Sequence, residues 1–331
     1  MDETKRYFST LECVRETCSL LLLSPKHLNY FQVDLSSLPK VIEMVMALIK
    51  RDYAKPSDIP PHSRWRHFEP GSRDRLGKLL HEWEEGGVDL KERVKRILDL
   101  FIVSVLLDAG AGADWKFEPR DEPSVYYNRS EGLALASLDW FTSGGLSSDP
   151  SQPYRVDSIK LKSLTDNDLI KAFQVNDKNP LVGIERVGLL ARLGQVIEKF
   201  DYFASDEPRR PGNLVDFLEA NSISKTQDKT LISIDTLWEV VMVGLSGVWP
   251  STRTSWNGSS LGDVWPSDAM ASISKAKGNS GVISKESINS SSLVAFHKLS
   301  QWMTYSLLEP LSLMGMQFTG LEKMTGLAEY R

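Results

Sequence analysis

Apolar residues recur at three- and four-residue spacing through most of this chain, and that period limits the possible folds more than any other feature. The clearest run is DLKERVKRILDLFIVSVLLDAG, residues 89–110. Asp89 stands where an N-cap belongs, and Gly110 where a left-handed helix stop belongs. Similar runs cover 9–23, 36–53, 73–87, 129–141, 183–200, 212–220, 234–249 and 290–311. In the run at 36–53, Ser36 or Ser37 can cap and Pro39 suits the first turn. Strand signals are short and few: YRVDSIKL (154–161), KTLISI (229–234) and MQFTGL (316–321). The Ser/Gly-rich span 251–292 reads as a long functional loop. The expected fold is mainly α: a single large helical domain over 61–331 with a few short strands, preceded by an N-terminal helical extension over 1–60.

The glycines in VSVLLDAGAGADW, residues 103–115, pose a specific question, because Gly-x-Gly after an apolar run resembles a dinucleotide loop. Such a loop follows a strand and opens a helix, so that pyrophosphate meets the helix N-terminus. Here the helix comes first, and Trp115 occupies the position where the third glycine would permit close packing. No Gly-Lys-[Ser/Thr] occurs either. The glycines are therefore expected to end a helix, with Asp108 at its C-terminal end. That end disfavours an anion unless a cation or hydrogen bonds offset it. Asp108 is read either as a capping, salt-bridging residue or as part of a site.

Composition removes several functional classes. Net charge is −5 and the pI about 5.7, without a basic stripe, so nucleic acid is not an expected partner. The apolar run SLLLLS is too short to span a bilayer, and no membrane partner is expected. Cys13 and Cys18 read as reduced thiols of a cytoplasmic protein. No metal and no cofactor is expected, since no Cys or His pair stands at ligand spacing. No Gly-x-Ser-x-Gly elbow or Cys–His pairing supports a nucleophilic triad.

Four constellations can carry chemistry. HSRWRHF (62–68) gathers His62, Arg64, Trp65, Arg66 and His67, which suit an anionic, ring-bearing ligand or a loop that clasps acidic helices. NRSEGLA (128–134) places Arg129, Ser130 and Glu131 at a helix start. It is either a phosphate or carboxylate site or a helix capped by Ser130. In the helix after Phe296, His297, Gln301, Thr304 and Tyr305 share a polar face, with Lys298, Trp302 and Glu309 beside it. The loop around Asp263 and Arg253 carries three tryptophans and reads as a lid or as a pinned structural loop. Substrate-binding candidates are thus Arg64, His67, Trp115, Arg129, Asp263, His297, Lys298, Gln301 and Trp302. The candidate carboxylates are Asp108, Glu131 and Glu329, with Asp263 a further acidic group.

Eight ordered blocks resemble the uracil catabolism protein 4 family: HSRWRHFEPGSRDR, VSVLLDAGAGADWKFE, RSEGLALASLDWF, FQVNDKNPLVGIERVGLLARLG, RRPGNLVDFL, GDVWP, FHKLSQWMTYSLLEPL and MTGLAEYR. They span about residues 60–331. The resemblance implies a place in pyrimidine degradation that opens the uracil ring at the nucleotide level and passes through ribosyl-urea. The family pattern continues beyond the last block with a glycine-rich turn and an acidic, apolar segment, so a C-terminally truncated form is expected. GIERVGLLARLGQVIEKF and the terminal AEYR also resemble helices of the queuosine-salvage nucleosidases. That resemblance implies a DNA-glycosylase-like helical fold, with Glu329 beside the sugar. Together they imply an N-glycosidic hydrolase of a ribosyl-urea or nucleoside phosphate. A non-catalytic binding or scaffold protein of the same route is the alternative.

Overall fold

The computed structural model describes residues 2–108, 110–183, 186–205, 207–249 and 253–327. Its architecture is mainly α. The helices run α1 (Glu3–Phe8), α2 (Leu11–Leu22), α3 (Leu38–Asp52), α4 (Arg75–Glu85) and α5 (Leu90–Leu106). They continue as α6 (Arg129–Thr142), α7 (Ser158–Ser163), α8 (Asp166–Ala172), α9 (Val187–Lys199) and α10 (Leu214–Ala220). The last are α11 (Ile234–Glu239), α12 (Asp268–Ala276) and α13 (Lys298–Ser312). Short strands are β1 (Ser224–Lys225), β2 (Thr230–Ser233), β3 (Ser255–Trp256), β4 (Ser259–Ser260), β5 (Val264–Pro266), β6 (Leu293–Ala295) and β7 (Met316–Thr319). No described helix is long and apolar enough to cross a membrane.

Backbone contacts divide the chain into two compact units. The first joins 1–62 to 251–298 and 325–331; the second holds 63–250 with 299–324.

In the first unit, Phe8, Cys13 and Val14 share a core with Trp256, Leu261, Val264, Leu293 and Ala295. β5 and β6 pair antiparallel, and Thr17 of α2 accepts the Ala295 N–H at 3.2 Å. Cys13 and Cys18 are free thiols, and burial pushes Cys13 up to about 12. The span 251–292 is more ordered than its composition suggests: it holds the β3–β4 hairpin, β5, and α12 capped by Ser267. Helix α3 buries none of its residues. Its first turn carries Pro39, but Ser37 makes no side-chain cap. Asp34 instead accepts from Ser36 N–H in the turn before it.

Helix α5 is the axis of the second unit. Every residue from Ile97 to Leu106 is buried, as befits a helix apolar on all sides. Two polar groups are carried inward with it, Asp99 and Ser104. Asp99 is met by the segment at 209–213: Arg210 Nε donates to it at 2.8 Å and Gly212 N–H at 2.6 Å. A Cβ at Gly212 would lie 2.3 Å from Lys95 O, so only glycine lets that backbone approach α5. β2 and β7 form the expected strands and pair in parallel, with β1 at the edge. YRVDSIKL does not form a strand. Asp157 accepts the Lys160 N–H at 2.9 Å and caps α7, so the segment turns helical.

Candidate functional site

The second unit concentrates its unusual chemistry at the C-terminal end of α5. Ser63 starts a short 3₁₀ turn, Arg64–Phe68, that faces α6 and α5. The turn drives Arg64 inward to 0% exposure. A buried guanidinium is costly unless its donors are met and its charge is countered. Both conditions hold. Arg64 Nε donates to Ser104 Oγ at 3.0 Å and Nη2 to Ser104 O at 3.3 Å. Nη1 lies 2.7 Å from Asp108 Oδ2, and the Arg64 N–H donates to Ser306 Oγ at 3.0 Å. Burial lowers the Arg64 pKa, while the charges of Asp108 and Glu131 work to raise it.

This arrangement resolves the electrostatics of Asp108. A carboxylate at a helix C-terminus faces unpaired carbonyls, and here a second cation joins Arg64 there. Arg186 donates to Leu107 O at 3.3 Å and also reaches Gly110 O. The helix ends at Leu106, four residues ahead of the expected stop at Gly110. Leu107 N–H returns to Val103 O and Asp108 N–H to Val105 O, while Arg64 takes Ser104 O and Arg186 takes Leu107 O and Gly110 O. Gly110, at φ +77°, then turns the loop, and Gly112 follows at +86°. Since α5 leads into these glycines, the strand–loop–helix order of a dinucleotide site is absent at this position.

Around the Arg64–Asp108 pair stand further candidates. His67 Nδ1 lies 3.4 Å from Arg64 Nη1, and its ring meets Trp302 edge-on at 5.6 Å. Glu131, half-buried in the first turn of α6, is close enough for its charge to act on Arg64. Arg66 pairs with Glu309, whose pKa is raised by burial despite that arginine. Asp108 keeps 11% of its side chain exposed. At the α6 start, Asn128 is the cap residue and makes no side-chain cap bond. Ser130 lies inside the helix and is not the cap. Arg129 is exposed and held at φ +50°, an uncommon conformation for a residue with a side chain.

Other candidates are placed elsewhere. Trp115 is fully buried: its Nε1 donates to Phe173 O at 2.9 Å, and its ring stacks near Phe117 and Phe173. Its aromatic mass is core and offers no face to a ligand. Arg64 is engaged with internal partners, so it is not an exposed anchor for a phosphate. Gln301 is buried in α13 beside Trp302. His297 precedes α13 rather than sharing its polar face, and is buried with Nε2 2.6 Å from Phe8 O. Lys298 N–H donates to Asp263 Oδ2 at 3.1 Å, and Trp265 Nε1 to Asp263 Oδ1 at 2.7 Å. His297, Lys298 and Asp263 thus tie the first unit together. Glu329 lies outside the described residues. Sequence reasoning passed over Ser104, Ser306 and Arg186. Ser104 had a signal, a hydroxyl inside VSVLL; the other two had none.

The geometry of the Asp108 cluster names no family, and comparison with known proteins supplies one for the chain. A family model described as "Protein of unknown function (DUF1688)" matches residues 7–331. "Uracil catabolism protein 4" of Lachancea kluyveri is 38% identical over 100% of this chain and 74% of that protein. "Protein urg3" of Schizosaccharomyces pombe is 40% identical over 92% of this chain and 68% of its own length. With a match across nearly its whole length and two relatives of this similarity, the chain belongs to the DUF1688 family, the family of uracil catabolism protein 4.

Proposed function

We propose that this protein is a cytoplasmic enzyme of uracil catabolism that hydrolyses the N-glycosidic bond of a ribosyl-urea or nucleoside phosphate. The first half rests on the names of its relatives. The second rests on one observation: a part-exposed carboxylate, Asp108, held by a fully buried arginine at the end of α5.

The reaction needs little more. Water adds through its oxygen to the anomeric carbon as the C–N bond breaks, and that bond's electron pair leaves with nitrogen, which takes up a proton. The sugar passes through an oxocarbenium-like state that a nearby carboxylate stabilises. In this reading Asp108 orients the water and accepts its proton. Glu131 gives the proton to the leaving nitrogen. Arg64 positions Asp108, His67 and Trp302 form the wall for the leaving group, and Arg129 meets the phosphate. The helical fold would then be of the DNA-glycosylase type, and Glu329 is the rival water-activating carboxylate.

The test is incubation with uridine, uridine monophosphate and ribosyl-urea phosphate, with products read by mass spectrometry. Release of urea or uracil is expected. Asp108→Asn should lower turnover by about 10²–10⁴ under conditions where circular dichroism shows it folded. Silence with all three substrates overturns the reading. Full activity in Asp108→Asn together with loss in Glu329→Gln moves the base to Glu329.

A further inference from the structure

Far from Asp108, near the first turn of α5, two arginines, Arg96 of the helix and Arg155 of the segment before α7, leave nearly all of their donors without an acceptor among the described residues. Glu92, in the first turn of α5, is shared by three guanidinium groups. Arg210 Nη1 donates to its Oε1 at 2.8 Å, Arg96 Nε donates to Oε1 at 3.1 Å, and Arg155 Nε lies 3.8 Å from the same oxygen. Arg210 is also neutralised by the fully buried Asp99. One carboxylate therefore remains for Arg96 and Arg155 together, and Arg210 shares it. Asp149, the other carboxylate whose charge interacts with Arg155, is on the surface and accepts from Ser151 N–H and Oγ.

The two arginines are built into the surface. The Arg96 guanidinium sits 5.3 Å from the Trp83 ring and 5.7 Å from the Tyr154 ring, and those rings pack edge-on at 5.3 Å. Cation–π contact and the Glu92 bond fix its plane. Arg96 and Arg155 keep 12% and 25% of their side chains exposed. The terminal nitrogens of both have no hydrogen-bond partner among the described residues. Arg155 Nε and Trp83 Nε1 are buried donors without an acceptor. Two planar forks with surplus positive charge, Arg96 anchored through its Nε and Arg155 drawn toward the same Glu92 oxygen at 3.8 Å, suit the oxygens of a tetrahedral dianion.

We propose that Arg96 and Arg155 form a phosphate-binding site, taking free phosphate or the phosphate of a monoester. It lies roughly 20 Å along α5 from Asp108, from the rise of 1.5 Å per residue. It does not rest on the glycosidase reading.

The test is calorimetric titration of the full chain with inorganic phosphate and with ribose 5-phosphate, against sodium chloride of equal ionic strength. Saturable binding of either is expected, and which one binds more tightly identifies the source. Affinity should fall about tenfold or more in Arg155→Gln and in Arg96→Gln, the loss of one charge-assisted fork. Arg96→Lys, which keeps the charge and the packing stem, covers the case in which Arg96→Gln fails to fold, and should also bind more weakly than the parent. Three outcomes overturn the proposal: no saturable binding, heat reproduced by sodium chloride, or unchanged affinity in folded Arg155→Gln and Arg96→Lys. Loss in Arg129→Gln with retention in Arg155→Gln also overturns it, since phosphate would then sit at the α6 start.

Discussion

Arg64 and Asp108 are worth more as a pair than either is alone. Removing Asp108 leaves a guanidinium at 0% exposure without its nearest counter-charge, and breaking a buried pair typically costs about 3–5 kcal/mol. Because Asp108 retains some water, the lower end of that range is expected for Asp108→Asn in denaturant unfolding. A double-mutant cycle with Arg64→Met should show coupling of at least about 1 kcal/mol, and additive losses would mean that the two do not act together. Ser104 is the next test. Its hydroxyl oxygen accepts hydrogen bonds from Ser137 Oγ–H at 2.7 Å and from Arg64 Nε–H at 3.0 Å. Ser104→Ala leaves that buried donor unpaired and should cost about 1–3 kcal/mol, far above the value for an exposed serine. A loss below half a kilocalorie would show that water or a rearranged Ser137 replaces it.

At the scale of elements, α5 and α3 are opposites. Helix α5 is buried along most of its length, whereas α3 buries no residue although Val41, Ile42, Val45 and Leu48 are apolar. An isolated helix of its length is marginal in water. Native-state hydrogen exchange should therefore find α3 amides among the least protected and those of Ile97–Leu106 among the most. Protection of α3 equal to that of α5 would contradict the exposed arrangement. Acid acts on a different element, α10. Burial works to raise the Asp216 pKa, but hydrogen bonds from Lys91, Lys95 and Ser205 overcome it and hold the group at about 2. The folded value lies below the unfolded one, so Asp216 stabilises the fold above about pH 4, and that contribution fades as pH falls toward 2. Asp216→Asn should flatten the acid limb of the stability curve between pH 4 and 2; an unchanged limb would place the acid sensitivity elsewhere.

At the scale of the molecule, the helical runs, β2 and β7 were legible because period and length report local structure directly. The Asp108 cluster was partly legible: HSRWRHF and VSVLLDAG each announced polar groups beside apolar runs. Their meeting, with Ser306 arriving from residues 242 positions away, is a tertiary fact that no local pattern encodes. The same holds for Trp115 and His297, whose residue types suit a ligand as well as a core and whose burial decides the matter. The 251–298 segment hid its partner for a similar reason, since its serines mask the few residues that pack on α1 and α2.

That packing makes the N-terminal sixty residues more than an appendage, and deletion tests it. Phe8, Cys13 and Val14 are nearly fully buried against Trp256, Leu261, Val264, Leu293 and Ala295. Fully burying a side chain of the Phe or Val kind contributes about 1.5–3 kcal/mol, so removing Phe8 and Val14 alone forfeits several kilocalories. His297 also loses the Phe8 carbonyl, and the Ala295 N–H loses Thr17 Oγ1, each left buried or newly wetted. A chain shortened to 61–331 should bind the apolar dye ANS and lose the near-ultraviolet signal of Trp256, which Trp256→Phe in the full chain identifies. Phe8→Ala in the full chain should show a smaller shift in the same direction, about 3–5 kcal/mol for a large-to-small change at a buried aromatic. If 61–331 instead unfolds as cooperatively as the parent, without dye binding, the segment 251–298 holds its own core and the N-terminal helices are dispensable to it.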